Sequence, residues 1–168
     1  MLTKQEEKEL IRLLGKMEFP VSQELFFAWS KSSTTVSADV ILMRKSAIGH
    51  EVFLTYRDDL FYKGWHVPGS VRLPPEAWED ALKRVLTDEL GLPASTKVEF
   101  FKWIDHQNGT GIGQSPRGSV ISIYSICMNS EGVVENEKAR FFRVSDLPTD
   151  IIPIHVPIIQ EVVRKFIS

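Results

Sequence analysis

The sequence predicts one α/β domain in which strands are flanked by helices on both faces. Helical periodicity occurs near both ends and in the middle of the chain, and several β-rich stretches lie between these segments. Neither internal repeats nor a linker interrupt the 168 residues. A chain of this length can bury a sizeable core, so we expect a single domain over residues 1–168.

The first third of the chain favours two helices followed by two strands. Thr3 can cap a helix over Thr3–Lys16, in which apolar side chains recur at helical spacing. Ser22 can cap a short helix that ends at Trp29, so residues 1–31 form a helical extension. The strands are predicted over Ser33–Arg44 and Glu51–Arg57, with a turn at Ser46–His50 between them.

The rest of the chain alternates strands with two further helices. The helix Ala77–Leu90 has the clearest pattern, because Pro74-Pro75-Glu76 opens it and Gly91 caps its C-terminus. A glycine-rich loop over Gln107–Ser119 separates two long strands. The remaining predicted elements are a short strand feeding a turn over Trp65–Ser70, strands at Lys97–Asp105, Gly118–Met128 and Lys138–Val144, and a closing helix at Val156–Ile167.

The bulk composition argues against nucleic acid and membranes as partners. The formal net charge is −2, which gives no electrostatic attraction to nucleic acid or to anionic lipid. No apolar run approaches the roughly 20 residues that span a bilayer, and the charged start of the chain is unlike a signal peptide. The single cysteine, Cys127, indicates a cytoplasmic protein and, within an apolar strand, a buried structural thiol.

Two adjacent carboxylates, Asp88 and Glu89, fall in the last turn of the helix Ala77–Leu90. The helix macrodipole is negative there, so each charge costs about 0.3–1 kcal/mol unless a cation offsets it. An isolated pair of this kind is usually a solvated helix end. Binding of Mg²⁺ or Mn²⁺ is the alternative, because these ions prefer carboxylate oxygens.

The spacing around this pair resembles the signature of the Nudix superfamily. Trp65-His66-Val67-Pro68-Gly69 is similar to the aromatic-x-x-Pro-Gly-Gly segment that leads into that signature. The resemblance implies a Nudix-type α/β/α sandwich with a mixed central sheet and extra N-terminal helices. Within Gly69–Leu92 the register is kept without a gap: Ser70, five residues, Glu76, seven residues, and Arg84-Val85-Leu86-Thr87-Asp88-Glu89-Leu90-Gly91-Leu92.

The resemblance also implies a role for each matching position. The Gly69 carbonyl, Asp88 and Glu89 would hold Mg²⁺ or Mn²⁺, and the metal would bridge the phosphates of the substrate. Glu76 and Arg84 would form an ion pair that ties the loop to the helix. The implied activity is metal-dependent hydrolysis of a nucleoside diphosphate linked to another group, which makes this small molecule the expected partner.

Three positions depart from the signature. Ser70 replaces a glycine, although its hydroxyl can reach a phosphate, and Asp88 replaces a glutamate. Val85 replaces a glutamate that many members use as metal ligand or base. The box is similar to that of the branch containing GDP-mannose mannosyl hydrolase, which also lacks this glutamate and uses a single metal. This likeness favours a nucleotide sugar as substrate.

In that branch a distal amide and a histidine base complete the site. Asn136 stands at the amide position and Glu137 at the histidine position. Glu137 is a candidate base or metal ligand, and a solvated side chain fits its position equally well. His106, at a strand end beside the glycine-rich loop, is the second candidate base.

Two arginines are candidates for substrate binding. Arg57 matches an arginine that is common before the signature loop in the superfamily, and an ordinary surface position beside Asp58 and Asp59 fits it as well. Arg117 lies in the loop Gln107–Ser119, which is either a lid over the site or a plain mobile hairpin.

Two rival functions stay open alongside hydrolysis. With valine at position 85, the chain could be a Nudix-fold module that binds a nucleotide or a protein partner without hydrolysing it. An isomerase of isoprenoid diphosphates would need a cysteine in the site, and Cys127 is poorly placed for that. A homodimer formed through the N-terminal helices is also left open.

Overall fold

The computed structural model describes residues 2–47, 49–110 and 113–166, and these residues form a mixed seven-stranded sheet. Along its main path the strand order is β3-β2-β1-β6-β5, while β4 pairs with β1 and β7 pairs with β2. The β1–β6 pair is parallel and its neighbours are antiparallel. The strands are β1 (Thr35–Ser46), β2 (Gly49–Asp58), β3 (Lys63–His66), β4 (Gly69–Val71), β5 (Glu99–His106), β6 (Val120–Cys127) and β7 (Ala139–Arg143).

The two N-terminal helices begin where the sequence predicts caps. The Thr3 side chain accepts a hydrogen bond from the Glu6 backbone N–H, and Ser22 caps the second helix by accepting from Leu25. The helices are α1 (Lys4–Leu14), α2 (Gln23–Ser32), α3 (Trp78–Arg84) and α4 (Val156–Phe166), with a π-helical turn at Val85–Glu89 and a 3₁₀ turn at Pro153–His155. Ile167 of the predicted closing helix, Ile48 of the predicted turn, and Gly111 and Ile112 of the predicted loop lie outside the described residues.

Apolar side chains cover both faces of the sheet. On β1, Ile41 and Met43 join the cluster that packs under α4, whereas Val40 and Leu42 join the cluster under α3. This division follows from the two-residue period of a strand. Helices therefore lie on both faces, and the predicted α/β class with a mixed central sheet and additional N-terminal helices is confirmed.

Two local features differ from the sequence prediction. The short strand and turn predicted over Trp65–Ser70 contain parts of two strands, β3 and β4; between them Pro68 has no N–H to donate, and its carbonyl accepts from Val40 at 2.9 Å. The chain thereby passes from β3, which pairs with β2, to β4, which pairs with β1. The last turn of the helix Ala77–Leu90 is wider than an α-helical turn, since Leu90 donates to the Val85 carbonyl five residues earlier.

The N-terminal helices contact the body of the protein unequally. No residue of α1 is buried, whereas α2 buries Phe27 and Ser30 against the rest of the molecule. Among the described residues, no helix is both long and apolar enough to cross a membrane.

Candidate functional site

We call residues 69–77 the signature loop and residues 78–89, which follow it, the signature helix. A cavity of about 420 Å³ opens between the signature loop, the strands β1 and β2, and the segment that links β5 to β6. Its walls bring together seven residues that the sequence nominated from distant positions. These are Arg57, Gly69, Ser70, Arg84, Glu89, His106 and Arg117. The cavity is therefore the candidate functional site.

Arg84 ties the signature loop to the signature helix. Its Nε and Nη2 atoms donate to the two carboxylate oxygens of Glu76, each at 2.9 Å. Its Nη1 donates to the Ser70 hydroxyl at 2.7 Å, and Nη2 also donates to the Val71 carbonyl at 3.0 Å. The hydrogen bonds from Arg84 hold the pKa of Glu76 below its ordinary value. The structure thus contains the ion pair that the sequence resemblance implies.

Glu89 is the acidic residue that the signature helix directs into the cavity. Its carboxylate accepts no hydrogen bond from any residue that the structure describes. Although Glu89 is exposed, desolvation raises the pKa of its carboxyl group, and the charges of Arg57 and Arg84 oppose that rise. A carboxylate in a cavity wall that accepts no hydrogen bond from the described residues is suited to binding a cation or a hydrogen-bond donor of a ligand.

The cavity wall, as far as the structure describes it, includes neither Asp88 nor Glu137. Asp88 is exposed and accepts a hydrogen bond from the Thr87 hydroxyl at 2.7 Å. Adjacent residues of a helix point about 100° apart, and of these two only Glu89 is part of the described cavity wall. Glu137 is exposed on the turn before β7, where Asn136 accepts from the Lys138 N–H at 2.8 Å. The structure does not bring these three predicted residues into the site.

The acidic groups of the site fit a metal ion that is held partly by the protein and partly by water and substrate. They do not fit an ion that is enclosed by protein ligands alone. Within residues 2–47, 49–110 and 113–166, no group of three or more His, Cys, Asp or Glu side chains is arranged to hold a metal. However, Mg²⁺ usually keeps several waters and binds through one or two carboxylates together with substrate phosphates. Glu89 and Gly69 line the same cavity and match that smaller requirement.

Asp39 lies in the cavity wall and was not anticipated from the sequence. It is buried on β1, and the Ser37 hydroxyl donates a hydrogen bond to its Oδ2 at 2.6 Å. The same Ser37 hydroxyl lies 3.0 Å from the Ser122 hydroxyl. Burial raises the pKa of Asp39 to about 6, and hydrogen bonds from Ser37 and Ser122 oppose that rise. The signal was present in the sequence: Ser37 and Asp39 are polar residues two apart, and therefore on one face, within the otherwise apolar stretch from Val36 to Met43.

Two arginines supply positive charge to the cavity. The Arg57 Nε lies 2.5 Å from the Asp59 carboxylate, so part of its charge is already paired. Arg117 is buried, and its Nε has no hydrogen-bond partner among the described residues. Burial lowers the pKa of Arg117, and the charge of Arg57 adds to this effect. A buried cation with an unsatisfied donor is costly unless an anion pairs with it.

Three histidines line the same cavity. The His106 Nδ1 donates to the Gly113 carbonyl at 2.9 Å, which leaves the Nε2 lone pair buried and without a partner among the described residues. His66 bonds to the Val67 carbonyl at 2.7 Å, and burial lowers the pKa of its ring to about 4. His155 was not singled out in the sequence, and its ring lies 5.9 Å from that of His66.

Cys127 lies outside this cavity, in the core cluster beneath α3. It is fully buried, its thiol donates to the Asn129 carbonyl at 3.3 Å, and burial raises its pKa. These properties agree with the expected structural thiol and not with a nucleophile.

The sequence matches no family model and no curated protein, whereas the structure is similar to solved proteins of the Nudix fold. The NUDIX domain of Shewanella oneidensis NrtR, crystallised with ADP ribose, has a TM-score of 0.62 and 14% identity over 86% of this chain and 99% of that chain. A MutT/nudix family protein from Enterococcus faecalis has a TM-score of 0.57 and 18% identity over 98% and 76% of the two chains. The fold is therefore of the Nudix type, as the signature predicted.

The expectation of a small-molecule partner without nucleic acid was wrong. Shewanella oneidensis NrtR, of whose length this chain spans 61%, was crystallised with a 27mer DNA, and the match has a TM-score of 0.61 and 14% identity over 77% of this chain. The C-terminal domain of mouse MUTYH was crystallised with human PCNA, with a TM-score of 0.54 and 17% identity over 77% and 89% of the two chains. The error arises because net charge is summed over the whole chain, whereas a partner contacts one local surface.

Proposed function

We propose that this protein hydrolyses a nucleoside diphosphate linked to a second group, and that the cavity around Arg117 is its active site. The observation that carries the proposal is the buried guanidinium of Arg117, whose Nε has no partner among the described residues. A diphosphate would supply the anion that this group lacks, since planar arginine forks match phosphate oxygens.

The remaining residues of the cavity have complementary tasks in the proposed reaction. Arg57 and Arg117 bind the phosphates, and Arg84 keeps the Ser70 hydroxyl in place beside them. His106 takes the proton of the attacking water at Nε2, because its Nδ1 proton is engaged by the Gly113 carbonyl. Asp39, hydrogen-bonded to Ser37 in the cavity wall, orients the substrate by accepting hydrogen bonds from it.

Glu89 and the Gly69 carbonyl are the groups that would hold Mg²⁺ or Mn²⁺. Such an ion, when bound, neutralises charge that develops on the phosphates. Asp88 and Glu137 are omitted from this arrangement, because the described cavity wall includes neither of them.

A nucleotide sugar is the substrate that we favour within this class. The box pattern with Val85 in place of glutamate supports it, as does a cavity wall whose polar side chains include His106 and His155. A cytoplasmic location, where nucleotides are abundant and thiols stay reduced, fits the single cysteine.

The proposal is tested by turnover of nucleotide sugars, ADP-ribose and dinucleoside polyphosphates with Mg²⁺ or Mn²⁺ at high enzyme concentration. Glu89→Gln should lower kcat by at least about a hundredfold if the carboxylate holds the metal, a loss comparable to that of one charge-stabilising donor. Asp88→Asn, altered at the neighbouring position outside the cavity, is the matched control and should stay within about threefold. Absence of turnover on the whole panel, with Glu89→Gln equal to wild type, would refute the proposal.

A module that binds a nucleotide without hydrolysing it is the second candidate. It is favoured by Val85, which is fully buried in the core and leaves no carboxylate at that position of the box. Calorimetry separates the two functions. Binding of ADP-ribose without release of any product over hours supports the binding module, whereas product release supports the hydrolase.

A further inference from the structure

The helix α2 (Gln23–Ser32) is attached to the segment that carries Arg117. The Ser30 hydroxyl donates to the Arg117 carbonyl at 3.3 Å. Gly118 has a φ of +138°, and a Cβ atom there would collide with the Ser30 carbonyl, so the two segments meet backbone to backbone. The second helix of the N-terminal extension is therefore attached directly to the site.

A second contact fixes α2 from the other side. The ring of Phe27 packs edge-on against that of Phe61, with centroids 4.7 Å apart. Phe61 belongs to the loop between β2 and β3, in which Asp59 accepts hydrogen bonds from the Phe61 and Tyr62 N–H groups. The helix that contains Phe26 is therefore attached both to the segment of Arg117 and to the loop between β2 and β3.

These contacts place the ring of Phe26 in the wall of the cavity. The ring is half-buried and its centroid lies 5.5 Å from the guanidinium carbon of Arg117. Tyr62 lines the same cavity, donates through its hydroxyl to Ser115 at 3.1 Å, and has Arg57 5.3 Å from its ring centroid. Each arginine proposed to bind phosphate thus has an aromatic ring beside it.

We infer that Phe26 forms the subsite for the nucleobase of the substrate, an inference that rests on the proposed function. An apolar aromatic ring next to a phosphate-binding arginine matches the two parts of a nucleoside diphosphate, a flat base and a charged tail. Stacking of a base on an aromatic side chain tolerates different bases, because every base has a π-face. Phe26 therefore determines selectivity for a nucleotide over a simple phosphate compound, and the N-terminal extension supplies this selectivity.

The test compares ADP with inorganic pyrophosphate as ligands of the full chain, measured by calorimetry with Mg²⁺ present. Wild type should bind ADP more tightly than pyrophosphate. Phe26→Ala should weaken ADP binding about tenfold, within the range measured for loss of one stacked base, and leave pyrophosphate binding within twofold. Phe26→Trp should retain ADP binding because it keeps a flat face. Leu25→Ala, on the same helix with a side chain 47% exposed, is the matched control and should change neither.

The outcomes distinguish this inference from the proposed function. If wild type binds neither ligand, the proposed function fails and the inference fails with it. If wild type binds pyrophosphate but ADP no more tightly, or if Phe26→Ala weakens both ligands equally or neither, the inference alone is overturned. Circular dichroism and thermal melting check that each variant is folded, and Phe26→Leu, which is apolar without a flat face, replaces Phe26→Ala if that variant does not fold.

Discussion

The carboxylate of Asp39 lies so close to its cross-strand partner Gly69 that a Cβ atom at position 69 would collide with Oδ1 of Asp39. The same atom would also crowd the Ala38 carbonyl at 2.9 Å. Glycine is required here by close approach and not by an unusual backbone angle, since Gly69 is not among the glycines with positive φ. The signature loop and the buried carboxylate of β1 are therefore fitted to each other.

Substitution of Gly69 by alanine should test this fit. The added methyl group must displace a buried carboxylate or the strand itself, and overpacking of this kind costs about 1–3 kcal/mol. We expect Gly69→Ala to lower the free energy of unfolding by that amount and to weaken ADP-ribose binding. Gly15→Ala is the control, because Gly15 is exposed, helical in φ and ψ, and has 3.5 Å of clearance. Equal stabilities of the two variants in urea would contradict the prediction.

Replacement of Arg84 by lysine should show the value of its planar group. Lysine keeps the charge but cannot reach both oxygens of Glu76 while also donating to Ser70 and the Val71 carbonyl. We expect Arg84→Lys to lower the free energy of unfolding by about 1–3 kcal/mol, the range for hydrogen bonds to charged groups. Urea titration measures the loss.

The neighbouring lysine provides the control for that substitution. Lys83 pairs with Asp80 at 3.1 Å, but both side chains are more than half exposed, at 54% and 59%. Exposed pairs contribute little because solvent screens them, so Lys83→Ala should stay within about 0.5 kcal/mol of wild type. A loss for Lys83→Ala as large as that for Arg84→Lys would show that the loss is not specific to the loop contacts of Arg84.

Restoration of the glutamate of the usual box, by Val85→Glu, should destabilise the fold instead of creating a metal ligand. Val85 has no exposed surface and packs in the cluster with Ala38, Val40 and Leu86. An unpaired carboxylate in such a core costs about 3–5 kcal/mol, compared with roughly 2–3 kcal/mol or less for the cavity left by Val85→Ala. Thermal melts of both variants test this. If Val85→Glu is as stable as Val85→Ala and gains Mn²⁺ affinity, the side chain reaches the site and the prediction is wrong.

Acid should weaken the fold through His155. Burial lowers the pKa of His155 well below 6.5, and the nearby His66, His106 and Arg57 act in the same direction. The unfolded chain therefore binds a proton near pH 6.5 that the folded chain does not bind, so stability is present above that pH and is lost as the pH falls. For one proton the loss reaches about 1.4 kcal/mol per pH unit.

The measurement is urea unfolding at pH 7.5 and pH 5.5 for wild type and His155→Leu. Wild type should lose about 1 kcal/mol more than the variant over this interval, by the same proton linkage. Asp39, whose pKa is raised to about 6, acts in the opposite direction, but its contribution is common to both proteins. Equal losses for the two proteins would show that His155 is not kept neutral by burial.

Much of the fold could be predicted from patterns among residues that are close together in the sequence. Thr3 and Ser22 cap the helices that they were predicted to cap, and Gly91, with a φ of +65°, follows the signature helix as its C-terminal position requires. The continuous apolar run of β1, from Val40 to Met43, is typical of a strand that is covered on both faces. Local chemistry determines these features, because a cap or a strand period involves residues only a few positions apart.

The site was readable only in part. The signature positions Gly69, Arg84 and Glu89 reach the cavity, because their spacing along the chain fixes their relation to one another. Asp88 and Glu89 both lie in the π-helical turn, and no local pattern in the sequence predicts this turn. Asp39 and His155 could not be placed from the sequence, since their neighbours in space are remote in the chain.

What the sequence determined by itself is the Nudix-type framework: capped helices, strands covered on both faces and a signature whose spacing survives its substitutions. What only the tertiary structure decided is the chemistry of the cavity. Strand pairing brings Asp39 over Gly69, and the packing of α2 brings Phe26 beside Arg117. Burial then sets the charges, since the same aspartate or histidine has an ordinary pKa in an extended chain and a shifted one where water is excluded.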